Sequence, residues 1–127
     1  MSHTHLATNL KRAAKVAITL FAFAAAASPV WASRSSDLQD EISRLSSLAG
    51  QYESQASQAQ NNGDNGTACT YYRKAANAWR DAASAGTSLI IETLNDSNLD
   101  GDAVNENVHI MANNAGVDDQ SAEAVCN

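Results

Sequence analysis

The sequence predicts an all-α fold: a long antiparallel helical hairpin, with two or three shorter helices packed on it and a disulfide fastening the chain. Three observations predict this fold. Small and apolar residues recur at alternating spacings of four and three in two long segments, which places them on one face of a helix. The short polar turn 61–66 joins those segments. The chain also contains two cysteines, Cys69 and Cys126.

The first 32 residues have the composition of a secretory signal peptide. The basic stretch 11–15 precedes an apolar run, 16–27, and residues 30–32 fit a signal peptidase site. The apolar run is much shorter than the roughly 20 residues that span a bilayer. We therefore expect cleavage after Ala32 rather than a retained membrane anchor, and a periplasmic or secreted product.

Residues 33–127 are expected to form one small helical domain. This segment keeps five of the eight basic residues and all fourteen acidic ones, so its net charge is −9 with histidine neutral. Nucleic acid and anionic membranes would repel that charge, so we expect neither as a partner. Cations and basic protein surfaces fit the charge better.

The first long helix is expected to begin at the potential caps Ser35 and Ser36. Its predicted inner face is Leu38, Ile42, Leu45, Ala49, Tyr52, Ala56 and Ala59. The second helix, from about Thr67 to Ala85, is the expected centre of the core. Its inner face is Ala68, Tyr72, Ala75, Trp79 and Ala82. Because the connection is short, the two helices should lie antiparallel.

Glycines are expected to end two of the helices. Gly86 should end the second one, after which the apolar segment 89–94 forms a short helix. A third main helix, 103–115, should end at Gly116. A last short helix, capped by Asp118, should then reach Cys126.

The two cysteines, Cys69 and Cys126, most simply pair with each other in an exported chain. Closing the long loop between them should stabilise the domain by roughly 4 kcal/mol. Two free thiols or an intermolecular bridge are the alternatives.

Six residues have the spacing of a known repeat: Tyr52, Ala56, Gly63, Ala68, Tyr72 and Ala75. Residues 49–82 thereby resemble a single tetratricopeptide-type helical hairpin. Gln55, Asn65 and Arg80 stand where that family usually has a leucine, an aromatic residue and a proline. The resemblance implies a helix pair. Peptide binding in the family needs about three adjacent repeats, and the sequence has no second copy.

The segment 96–107 resembles the first half of an EF-hand calcium loop. The residues that would bind calcium are Asp96, Asn98, Asp100 and Asp102, with Gly101 at the sixth position. The twelfth position, where a bidentate glutamate is expected, is Asn107. The alternative is a solvated turn whose side chains cap the following helix.

Catalysis is not expected. His109 is the only histidine after residue 32, so the segment contains no histidine pair for zinc and no evident base for a nucleophile. A small exported module that binds another protein fits better. A calcium-binding envelope protein and a secreted or periplasmic inhibitor or immunity-type protein are the alternatives. Since the neighbours Tyr71 and Tyr72 cannot both face the core, we expect Tyr71 to be partly exposed and to contact the partner.

Overall fold

The computed structural model describes residues 29–96 and 99–126. These residues form three helices: α1 (Pro29–Asn61), α2 (Asn65–Thr93) and α3 (Gly101–Val125). The predicted all-α class is confirmed, and the described ranges contain no strand. None of the three helices combines the length and apolar character needed to cross a membrane. Residues 1–28, most of the predicted signal peptide, lie outside the described part.

Helix α2 is the centre of the molecule. It packs along α1 on one side and along α3 on the other, whereas α1 and α3 hardly approach each other. The buried face of α2 is largely alanine: Ala68, Ala75, Ala76, Ala78, Ala82 and Ala85. Small side chains let both neighbouring helices come close to this face, and Tyr72, Trp79 and Leu89 fill the remaining space.

The prediction of additional short helices is wrong, because neither glycine ends its helix. Helix α2 continues through Gly86 to Thr93, and α3 continues through Gly116 to Val125. A Cβ atom added at Gly86 would lie 2.6 Å from Val108 Cγ2 and 3.1 Å from Met111 Cε. Gly86 is therefore a contact point that lets α3 approach α2.

The predicted cap at Asp118 is also wrong. Asp118 lies inside α3 and is completely buried, at 0% exposure. Gly116 is exposed, and nothing lies within 4 Å of a Cβ built there. The buried face of α3 continues past it with Ala122 and Val125, so packing against α2 keeps this part of the chain helical.

Helix α1 begins earlier than the sequence indicates. It starts at Pro29 instead of being capped by Ser35 and Ser36. Ser35 lies within the helix and is buried. A cut after Ala32 would therefore remove only the first four residues of α1.

The turn between α1 and α2 is shorter than predicted, since only residues 62–64 separate the two helices. Gly63 has a φ of 79°, a conformation that favours glycine. The Asp64 carboxylate then caps α2, accepting hydrogen bonds from Thr67 N at 3.1 Å and from Thr67 Oγ1 at 2.7 Å. These bonds, the hydroxyl one first, lower the pKa of Asp64. Helix α2 consequently begins at Asn65, two residues earlier than expected.

The disulfide between Cys69 and Cys126 is present, as predicted. Its Cα atoms are 5.0 Å apart, and it joins the start of α2 to the end of α3. Both cysteines pack against a small cluster formed by Ala56, Ala59, Ala68, Tyr72, Ala122 and Val125. The crosslink therefore closes the end of the molecule where the apolar core is smallest.

Replacing Gly86 by alanine should destabilise the protein by about 1 kcal/mol, because overpacking against Val108 outweighs the gain in helix propensity. Gly116→Ala and Gly50→Ala are matched controls, since a Cβ at either position meets nothing within 4 Å. Both controls should stabilise by up to about 1 kcal/mol. Urea unfolding measures all three. If Gly86→Ala also stabilises, the close approach of α3 is wrong.

Removing the crosslink with the double substitution Cys69→Ser and Cys126→Ser should lower the free energy of unfolding by about 4 kcal/mol. Hydrogen exchange should rise most in residues 111–125, because the disulfide holds that end of α3. Exchange that rises equally in α1 would contradict this localised role. Labelling of the unreduced, unfolded wild type should find no free thiol.

Candidate functional site

Two tyrosines and a lysine form a compact cluster on the hairpin formed by α1 and α2. The rings of Tyr52, from α1, and Tyr71, from α2, are 6.0 Å apart and inclined at 34°. The ammonium group of Lys74 lies 5.8 Å from the Tyr52 ring and 5.4 Å from the Tyr71 ring. These distances are those of a cation–π contact. We call Tyr52, Tyr71 and Lys74 the tyrosine–lysine cluster.

The helical spacing explains why only one of the neighbouring tyrosines joins this cluster. Tyr72 lies on the seam of α2 and is 1% exposed, whereas Tyr71 is half-buried. The burial expected for this pair is therefore confirmed. The role of Tyr71 in binding a partner stays a prediction.

A groove runs from the tyrosine–lysine cluster along the hairpin. It consists of two hollows of about 350 and 230 Å³. Leu45 and Asp81 line both hollows, so the hollows lie next to each other along the hairpin. We call this feature the hairpin groove. Its walls are Leu38, Glu41, Arg44, Leu45, Leu48 and Tyr52 of α1, and Lys74, Asn77, Ala78, Asp81, Ser84, Ala85 and Ser88 of α2.

Some of the basic side chains form ion pairs with carboxylates of the described residues, whereas others do not. Ion pairs join Arg34 to Glu92 at 3.0 Å, Arg44 to Glu41 at 3.8 Å, and Arg80 to Asp119. Among the described residues, no carboxylate forms an ion pair with Arg73 or Lys74. The positive charge that stays unpaired therefore lies beside the tyrosines.

Polar side chains lie inside the molecule beneath this surface. The buried Glu53 accepts a hydrogen bond from Trp79 Nε1 at 3.1 Å, which joins α1 to α2. The Tyr72 hydroxyl donates to Gln60 Oε1 at 2.8 Å. Burial, and then the negative charges of Asp118 and Glu53, raise the pKa of Tyr72 to about 12. This hydrogen-bonded group was not found in the sequence, because Glu53 falls between residues of the expected apolar face.

The buried face of α3 is also partly polar. Four of its nine buried residues are Asn107, Asn114, Asp118 and Ser121. Both polar atoms of the Asn114 side chain are buried without a hydrogen-bond partner among the described residues. Such groups weaken the packing of a helix, because the free energy lost on removing them from water is not offset by a hydrogen bond.

The four residues proposed for calcium are placed differently from one another. Asp100 caps α3, with its carboxylate accepting hydrogen bonds from Asp102 N at 3.0 Å and Ala103 N at 3.1 Å. Asp96 is 5% exposed, and Asn98 lies outside the described residues. In the described ranges, no three His, Cys, Asp or Glu side chains are grouped to hold a metal ion. The calcium site stays a prediction.

Comparison of the chain with known protein families, with curated proteins and with solved structures finds no match. The resemblance of residues 49–82 to a tetratricopeptide hairpin therefore stays a prediction.

The raised pKa of Tyr72 predicts a loss of stability at high pH. The unfolded chain loses the phenol proton near pH 10.0, whereas the folded protein keeps it until about 12. The contribution of Tyr72 to stability is therefore complete below pH 10 and falls as the pH rises to about 12. Urea unfolding at a series of pH values measures this loss. Tyr72→Phe should abolish the fall in the free energy of unfolding between pH 10 and about 12, and Tyr71→Phe should keep it. The same fall in the free energy of unfolding with pH in wild type and in Tyr72→Phe would disprove the assignment.

Proposed function

We propose that the protein is an exported helical module that binds another protein, and that the tyrosine–lysine cluster is part of the contact surface. The observation that carries this proposal is the pair of neighbouring tyrosine rings, Tyr52 and Tyr71, at one end of an open groove. Tyrosine is enriched at protein interfaces because a large apolar ring and a polar hydroxyl are presented together.

The residues around the tyrosine–lysine cluster favour a role in binding a partner. Lys74 lies over both rings, while its neighbour Arg73 is exposed. Lys74 is tied to no carboxylate of the described chain, so its charge is available to a partner. The hairpin beneath is fixed by the Glu53–Trp79 hydrogen bond, which limits the conformational entropy lost on binding.

Binding is also favoured over catalysis. The candidate surface offers tyrosine, lysine and aliphatic side chains, with no histidine among the residues that line the groove. His109 is exposed on α3, a helix that contributes no residue to the groove. The proposed export and the negative charge of residues 33–127 fit a protein partner better than a nucleic acid.

Tyr71→Ala should weaken capture of the partner roughly tenfold or more, because truncating an aromatic interface residue removes both area and a hydrogen-bonding group. The measurement is a pull-down from envelope extract or culture fluid with the mature protein as bait. Tyr71→Phe is the conservative control and should retain most binding. His109→Ala, on α3 away from the groove, should leave capture unchanged. Equal capture of one partner by wild type and Tyr71→Ala would refute this surface.

A further inference from the structure

We propose that the hairpin groove binds one amphipathic helix of the partner, with an acidic side chain at Lys74 and a basic side chain at Asp81. This inference rests on the proposed function and adds the chemistry of the ligand to it. Three observations carry it: the shape of the groove, the order of charges along it, and an exposed apolar residue that extends it.

The shape of the groove suits the binding of a helix. It lies between two antiparallel helices and is lined on α1 by Leu38, Leu45, Leu48 and Tyr52, at helical spacings. A third helix packs into such a furrow with its own apolar stripe. The groove follows the seam between α1 and α2, and α3 contributes no residue to its walls.

Exposed apolar surface continues the groove beyond its last wall residue. On α2, Asp81, Ser84 and Ser88 are followed at the next helical spacing by Ile91, which is 56% exposed. From Lys74 to Ile91 the face is seventeen residues long, or about 26 Å at 1.5 Å per residue. A helix of about five turns would cover it. The exposed Ile91 side chain extends the apolar surface that a helix in the groove can contact.

The charges along the groove indicate which helix fits. At one end Lys74 has no carboxylate partner among the described residues. Two turns further on the exposed Asp81 lines both hollows, and no basic side chain of the described chain forms an ion pair with it. Arg44 and Glu41, near the other end, already pair with each other at 3.8 Å. The groove therefore presents one positive and one negative charge about 10 Å apart along α2.

Complementary charges on the ligand follow from this order. A helix with an acidic residue and a basic residue seven positions apart places both on one face. The acid would lie over Lys74 and the base over Asp81, with aliphatic residues between them against Leu45 and Leu48. Charges at the edge of an apolar contact fix the register and exclude wrong partners. A second copy of this chain is a different occupant, which the experiment separates.

The test uses two synthetic helical peptides of eighteen residues and the full domain, residues 33–127. Peptide A has a leucine stripe, a glutamate near one end and an arginine seven positions later; peptide B has arginine at both of these positions, so reversing its direction cannot place an acid at Lys74. Fluorescence anisotropy should show that wild type binds A roughly fivefold more tightly than B, since a favourable pair at Lys74 replaces a repulsion. The variant Lys74→Glu should prefer B.

Arg73→Glu is the matched control for Lys74→Glu. Both substitutions make the same charge change at neighbouring exposed positions, but only Lys74 lines the groove. Lys74→Glu should weaken binding of peptide A, and Arg73→Glu should leave it within about twofold. Thermal unfolding should show that the exposed substitutions leave the fold intact.

Three results of the peptide experiments would overturn the inference. They are absence of peptide binding at roughly 1 mM, equal affinity for both peptides, and equal effects of Arg73→Glu and Lys74→Glu. Dimerisation of the domain alone that Lys74→Glu abolishes would assign the groove to a second copy, which also overturns it. If Tyr71→Ala still abolishes capture of a partner while the peptides fail, the proposed function stands and only the helical ligand is wrong.

Discussion

The close packing of α2 against two helices at once is the constraint on which the rest of the structure depends. One face of α2 is lined with alanines, and Gly86 continues that face where α3 passes nearest, with Val108 and Met111 directly above it. Small residues allow short distances between helix axes, and short distances gain dispersion contacts without large side chains. The bulk that remains is concentrated in Tyr72, Trp79, Leu89 and Met111. A chain with so few large apolar residues can thereby still bury two apolar clusters between its helices.

Because the helices pack so closely, the positions of the polar groups between them are tightly constrained. Glu53 is buried against Trp79, and the Tyr72 hydroxyl donates to Gln60, so these hydrogen bonds set how α1 and α2 meet. Helix α3 is attached differently, because its inner face includes Asn114 and Asp118 in place of aliphatic residues. The disulfide compensates by joining the end of α3 to the start of α2. A covalent link restricts the unfolded chain and does not depend on how apolar the interface is.

The same arrangement explains the location of the proposed binding surface. Helix α3 contributes no residue to the hairpin groove or to the tyrosine–lysine cluster at its end, so it leaves both accessible. The hydrogen bonds beneath hold that surface in place. Rigid support under partly exposed aromatic and charged side chains favours recognition, since little order has to be created on binding. Lys74 and Asp81 lie two turns apart on α2, so the two parts of the surface carry opposite charges.

Local spacing in the sequence determined the helical class, the hairpin, most of its inner faces and the exposure of Tyr71 relative to Tyr72, because these depend on which residues share a helix face. Leu38 and Tyr52, predicted on the inner face of the first helix, are only partly buried and line the groove. The pairing of Cys69 with Cys126 followed from there being only two cysteines. Only the tertiary structure decided where the helices end. Gly86 and Gly116 look like helix ends in isolation, yet packing against a neighbouring helix outweighs the roughly 1 kcal/mol by which glycine disfavours a helix. It also decided that Glu53 and Asp118 are buried and that Lys74 meets both Tyr52 and Tyr71. Contacts between distant segments set those features, and residue spacing within one helix carries no information about them.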